Sequence, residues 1–137
     1  MFDELTKYKT NGHFFFERGH ILSKVCNAPE KAGVYYILML RKGKVELVYI
    51  GASGTINQKG EFSSQLLGGR LNNKQNGTKR QHFFEEIMLR EEIDALDIYW
   101  FVTFDKNNQH LPSYVEALLL QKHFDIYGCL PEWNNGF

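Results

Sequence analysis

Residues Gly33 to Gly51 leave this chain little choice but an antiparallel hairpin. Val34 to Leu40 is apolar throughout and rich in β-branched and aromatic side chains, and Val45 to Ile50 is similar. Between them, Arg41-Lys42-Gly43-Lys44 is a charged reversal holding the glycine that a tight turn needs. The first strand is apolar on both faces. Val34, Tyr36, Leu38 and Leu40 line one, and Tyr35, Ile37 and Met39 line the other. That pattern predicts a central strand covered on both sides. Each strand also interrupts aliphatic packing with a phenol, Tyr35 on the first and Tyr49 on the second.

The 137 residues suit one domain, 1–137, with a single core. A hydrophobic fraction of 43% and a charged fraction of 23% are those of a soluble globular chain. No apolar run approaches the roughly 20 residues of a membrane span. The start, Met1-Phe2-Asp3-Glu4, lacks the basic and apolar regions of a signal peptide, so a cytoplasmic protein with no membrane partner is expected. Cys26 and Cys129 have no close spacing and read as reduced core thiols. Net charge is zero, which argues against a simple nucleic-acid binder. Its distribution argues the other way. From Arg41 to Arg80 there are eight Lys and Arg against Glu46 and Glu61, a balance of +6; from Gln81 to Asp105 there are seven acids against Arg90, a balance of −6. Phosphate would be drawn to the basic half, in a salt-dependent way.

Residues 1–31 read as a lead-in packed beside the sheet. Phe14-Phe15-Phe16 must be buried or bound to a partner, and His20 to Val25 is either a strand or one helical turn. After Gly51 the chain turns polar, from Ala52 to Gly60; such a loop would either reach a groove of DNA or be a tolerated surface insertion. A helix is expected from about Phe62, carrying Gln65, Leu66 and Arg70. Gly68-Gly69 inside it costs roughly 2 kcal/mol relative to alanine, and would let a phosphate or another backbone come close. Asn72 to Thr78 reads as a polar turn with Asn76-Gly77. A second helix over Lys79 to Glu91 has Phe83, Phe84, Ile87 and Met88 on its apolar side, and Ala95 to Phe104 is a third strand. Pro112 opens a largely buried helix, Ser113 to Tyr127, and Gly128 ends it. The order is β-β-α-α-β-α. The histidines at 13, 20, 82, 110 and 123 show no metal spacing.

Five elements, in order, resemble the GIY-YIG nucleases: Gly33-Val34-Tyr35, Tyr49-Ile50-Gly51, Arg70, Glu116 in Glu116-Ala117-Leu118-Leu119-Leu120, and Asn134 in Pro131-Glu132-Trp133-Asn134. The resemblance covers a core over 32–135. It implies an α+β (α/β) fold, a small three-stranded antiparallel sheet flanked by helices, with a split βαβ layout as the rival. It further implies a metal-dependent DNA endonuclease that hydrolyses phosphodiester bonds. A non-catalytic nucleic-acid-binding module within a larger complex is the alternative.

The roles follow from the resemblance and from chemistry. Tyr35 is the expected general base; a free phenol titrates near 10, so neighbouring cations must favour its phenolate. Tyr49 would orient water or bind phosphate. Arg70 offers a planar fork that matches phosphate oxygens. Glu116, at the edge of a packed helix face, would hold Mg²⁺ or Mn²⁺. Lys74 stands four residues after Arg70, where family members often carry Tyr or His, and would contact phosphate or steady a phenolate. Gly51 would leave space for the substrate backbone. Ser53, Lys79 and Arg80 are expected nucleic-acid contacts, and Gly33 and Asn134 structural members of the site. Cutting both strands needs two sites, which suggests a homodimer or a larger protein complex.

Overall fold

The computed structural model describes residues 2–62, 65–75 and 77–137. A short turn, Asp3–Leu5, leads to β1 (Asn11–Phe16) and a single helical turn, α1 (Leu22–Val25). The hairpin follows as β2 (Gly33–Arg41) and β3 (Lys44–Ser53). Next come α2 (Leu67–Leu71), a small ribbon of β4 (Lys74–Gln75) and β5 (Thr78–Lys79), and α3 (Arg80–Arg90). The chain ends with β6 (Ala95–Val102), α4 (Pro112–Tyr127) and an irregular tail.

The main sheet has four strands in the order β1-β6-β2-β3, every neighbouring pair antiparallel. This corrects the expected three-stranded sheet. The extra strand comes from the lead-in, which joins the sheet instead of packing beside it. Three successive phenylalanines cannot all face one core from a strand. Phe14 and Phe16 are buried, while Phe15 between them is 44% exposed. That alternation puts a strand on the edge of β6 that β2 leaves open.

The central-strand reading of β2 holds: it lies between β6 and β3. Tyr35, Ile37 and Met39 share a core with Phe84, Ile87 and Met88 of α3. Val34, Tyr36 and Leu38 share the other with Val115, Leu119 and Leu120 of α4. α4 stops at Gly128, whose φ of 73° is left-handed. α2 is much shorter than the helix expected from Phe62. Phe62 instead bridges back to Ile56 and packs edge-on against Phe104 at 4.9 Å; Ser63 and Ser64 lie outside the described residues. The loop after Gly51 is thereby tied down, with Asn57 Oδ1 accepting from the amides of Lys59 and Glu61, both at 2.9 Å. The polar turn over 72–78 is the β4–β5 ribbon, with Lys74 opposite Lys79; Asn76 lies outside the described residues. Of the two free cysteines, Cys26 is half-buried and Cys129 is exposed, so only one approaches the core thiol expected.

β3 is an edge strand, and the tail covers part of its open side. Trp133 N donates to the Val48 carbonyl at 2.9 Å. The Asn134 side chain then copies a strand residue: its Oδ1 accepts from Ile50 N and its Nδ2 donates to Ile50 O, both at 3.0 Å. Covering an edge in this way removes unpaired backbone groups. No helix among the described residues is long and apolar enough to cross a membrane.

Candidate functional site

Hairpin register brings the two phenols together. Tyr35 stands opposite Gly51, and Tyr49 opposite Ile37, so both rings project from one face. Their centroids are 5.9 Å apart. Gly51 makes this possible. A Cβ there would lie 2.6 Å from Tyr35 Cζ and 2.8 Å from Tyr49 Cε2. The room at Gly51 is filled by the protein's own phenols, where the sequence suggested room for substrate. Gly33 is held by backbone: a Cβ would run into the Phe101 carbonyl on β6.

Arg80 is the first residue of α3, and its side chain turns inward to 2% exposure. Nη1 donates to the Tyr35 hydroxyl at 2.8 Å, and Nη2 reaches the Lys74 carbonyl at 3.5 Å. The guanidinium lies 5.5 Å from the Tyr35 ring and 6.0 Å from that of Tyr49. Arg80, expected as a nucleic-acid contact within a basic run, is buried and bonded to Tyr35. Lys79 before it is exposed. Ser53 is buried, its hydroxyl pointed 3.5 Å from the Gly33 carbonyl.

Glu116 approaches from α4, on the other side of the sheet from α3, and is half-buried. Burial raises its carboxyl to about 7, and the Arg70 guanidinium pulls against that rise. Tyr49 is held well above the ordinary phenol range. Burial is the largest cause, followed by the Tyr35 phenol; Arg80 opposes the rise and Glu116 adds to it. The groups therefore form one electrostatic chain: Arg70 with Glu116, Glu116 with Tyr49, Tyr49 with Arg80, and Arg80 with Tyr35. Tyr49, Arg70, Lys74, Arg80 and Asn134 also line one cavity of about 250 Å³.

Gly68-Gly69 meets a carboxylate of the protein itself. Gly69 N donates to Glu30, and a Cβ at Gly68 would collide with that carboxylate and with the Ala28 carbonyl. Backbone bonds from Leu67 N to Lys31 O (3.0 Å) and Gly68 N to Pro29 O (3.1 Å) complete the anchor. The glycine pair therefore docks α2 onto the segment before β2, which orients Arg70.

Two cavity residues were not singled out from the sequence for the site. Gln75 sits in a stretch read only as a polar turn. Trp133 was quoted only as the neighbour of Asn134. Both are over nine-tenths buried, and both line the cavity. A larger groove of about 810 Å³, walled by Val45, Leu47, Ile126, Tyr127 and Leu130, gathers none of the candidate residues.

Family models, curated proteins and solved structures yield no match to this chain.

Among the described residues, no three His, Cys, Asp or Glu side chains gather around a common point. Zinc-type coordination is not what the donor set offers. A single desolvated carboxylate beside a cationic cavity fits a hard ion such as Mg²⁺. That ion accepts one protein oxygen and completes its shell with water and phosphate oxygens.

Proposed function

We propose that this chain is a metal-dependent endonuclease with a GIY-YIG-like layout, hydrolysing phosphodiester bonds in DNA in the cytoplasm. One observation carries the reading. Tyr35, Tyr49, Arg70, Arg80 and Glu116 come from separate stretches of the chain, yet interact as one set beside a cavity whose lining has three cations and no carboxylate.

In this reading Tyr35, first deprotonated to the phenolate, takes the proton of the attacking water and returns to the neutral phenol. Arg80 Nη1 donates to the Tyr35 oxygen, so it stabilises the phenolate before that transfer. Tyr49, kept neutral by burial, can donate a hydrogen bond to water or phosphate. Arg70 and Lys74 supply cations to the phosphoryl oxygens. Glu116 would hold Mg²⁺ or Mn²⁺, an ion that supplies Lewis-acid stabilisation of phosphoryl and leaving oxygens. Asn134 and Gly33 keep the tail and the hairpin in register around the phenols. Ser53 and Gly51 shape the strand beneath the site, and the exposed Lys79 would meet an adjacent phosphate.

The test is plasmid nicking in Mg²⁺, in Mn²⁺ and in EDTA. Cleavage is expected only with metal, and Glu116→Ala is expected to lower it by about 100-fold or more. Failure of the intact chain to cut supercoiled, linear or single-stranded DNA with either metal sinks the proposal. Binding without cleavage that ignores Mg²⁺ and survives Glu116→Ala would favour the non-catalytic nucleic-acid-binding module.

A further inference from the structure

Arg80 carries a buried guanidinium. Among the described residues, no carboxylate lies within salt-bridge reach of it. A guanidinium keeps its charge at any pH a folded protein meets, and burying a charge unpaired is costly. Its two hydrogen-bonding contacts, the Tyr35 hydroxyl and the Lys74 carbonyl, are both neutral acceptors. Nε has no partner.

Neighbouring groups share this deficit. Among the described residues, Gln75 Nε2 and Oε1 are buried without a partner, and so is Trp133 Nε1. Buried polar atoms are nearly always paired, so four on three residues of one cavity wall call for a common explanation. Three of the four can donate. The remaining walls bring Arg70 and Lys74. Arg80 also opens α3, which has no acidic residue in its first turn to offset the positive helix end. At about 250 Å³ the cavity falls below the ~300 Å³ at which ligand pockets begin, so it suits one small anion and not a whole nucleotide.

We propose that this cavity is a phosphate pocket, in which Arg80 Nε, Gln75 Nε2 and Trp133 Nε1 donate to the oxygens of one phosphate group without help from a metal. Assigning that phosphate to a nucleic-acid strand rests on the nuclease reading; the pocket itself does not. Gln75 Oε1 is left to accept from water or a sugar hydroxyl.

The test uses the full chain in EDTA at low salt. The probes are inorganic phosphate, a short 5′-phosphorylated oligonucleotide, and the same oligonucleotide without the phosphate. Affinity is read by calorimetry and local contact by tryptophan emission. Phosphate is expected to bind and to change an emission signal that Trp133→Phe removes, leaving that of Trp100. Gln75→Leu, close in shape, is expected to weaken phosphate binding by about tenfold or more. Tighter binding of the phosphorylated oligonucleotide, displaced by free phosphate, assigns the pocket to a strand; equal or better binding of inorganic phosphate assigns it to the free ion. No response of the intact chain to any probe overturns the proposal, as does unchanged affinity in both Gln75→Leu and Trp133→Phe. A chain that cuts DNA with Mg²⁺ but fails here loses only the pocket. One that binds phosphate here and never cuts loses only the nuclease reading.

Discussion

Tyr35 and Tyr36 are neighbours on one strand, both buried, and they face opposite worlds. Tyr36 lies in an aromatic stack, 5.1 Å from Tyr99 and 6.0 Å from Phe101, with Phe2 edge-on at 5.5 Å. Tyr99 stacks in turn on His13 at 4.6 Å, and His13 bonds to Asp97 at 2.8 Å. Burial, followed by Tyr99 and Asp97, pushes the Tyr36 phenol up to about 12. Tyr35 instead meets a second phenol and a buried guanidinium, and that guanidinium lines the cavity. The α4 side of β2 uses its tyrosine for packing. Both sides keep a charge inside, but Asp97 on the Tyr36 side bonds to His13, whereas among the described residues Arg80 on the α3 side has no carboxylate within salt-bridge reach. A buried charge with no anion within salt-bridge reach among the described residues, more than the presence of a tyrosine, distinguishes the α3 side.

The largest expected effect separates the two phenols directly. Tyr35→Phe should lower metal-dependent DNA cleavage by about 100-fold or more, whereas Tyr36→Phe should leave the rate unchanged. Equal losses in the two variants would erase the contrast between the faces. A smaller effect concerns how the reactive face is packed. Gly51→Ala places a methyl against both site phenols and should cost about 1–3 kcal/mol in urea unfolding, with cleavage reduced in parallel. A fully stable Gly51→Ala chain would mean the phenols move aside freely.

The smallest effect is a pH dependence confined to the site. Glu116 is raised from 4.5 to about 7 in the folded chain, so its uncharged form favours folding. That contribution is fully present below about 4.5 and is lost as pH rises through about 7. Between about pH 5 and pH 8 the thermal midpoint of the wild type should therefore fall relative to that of Glu116→Gln, whose amide does not titrate. Mg²⁺ at the higher pH should recover part of the difference. Parallel midpoint curves for the two chains would remove Glu116 as a desolvated carboxylate.

Much of the site's framework was legible before any coordinates. Period-two patterning placed Tyr35 and Tyr36 on opposite faces of a central strand, and Tyr49 on its partner strand; the register shift between Ile37 and Leu38 decided that Tyr49 shares the face of Tyr35. Arg70, Glu116 and Asn134 were reachable only through their order along a resembling pattern, since no local periodicity links residues so far apart. Arg80 shows where reading stopped. As one cation in a basic run it read as a nucleic-acid contact, with nothing to say that it is buried; its inward course depends on α3 beginning directly after the β4–β5 ribbon, against the face of β2. Gln75 had no signal beyond polarity.

The sequence by itself determined the hairpin, the two faces of β2 and the stop of α4 at Gly128. Each of these is written in side-chain alternation or backbone freedom over a few residues. Tertiary structure alone decided that β1 completes a fourth strand on β6, that Glu30 fills the notch at Gly68-Gly69, and that Arg80, Gln75 and Trp133 share one cavity. Those outcomes depend on which distant surfaces meet, and burial gives a charge its partner, or withholds one, only after they have met.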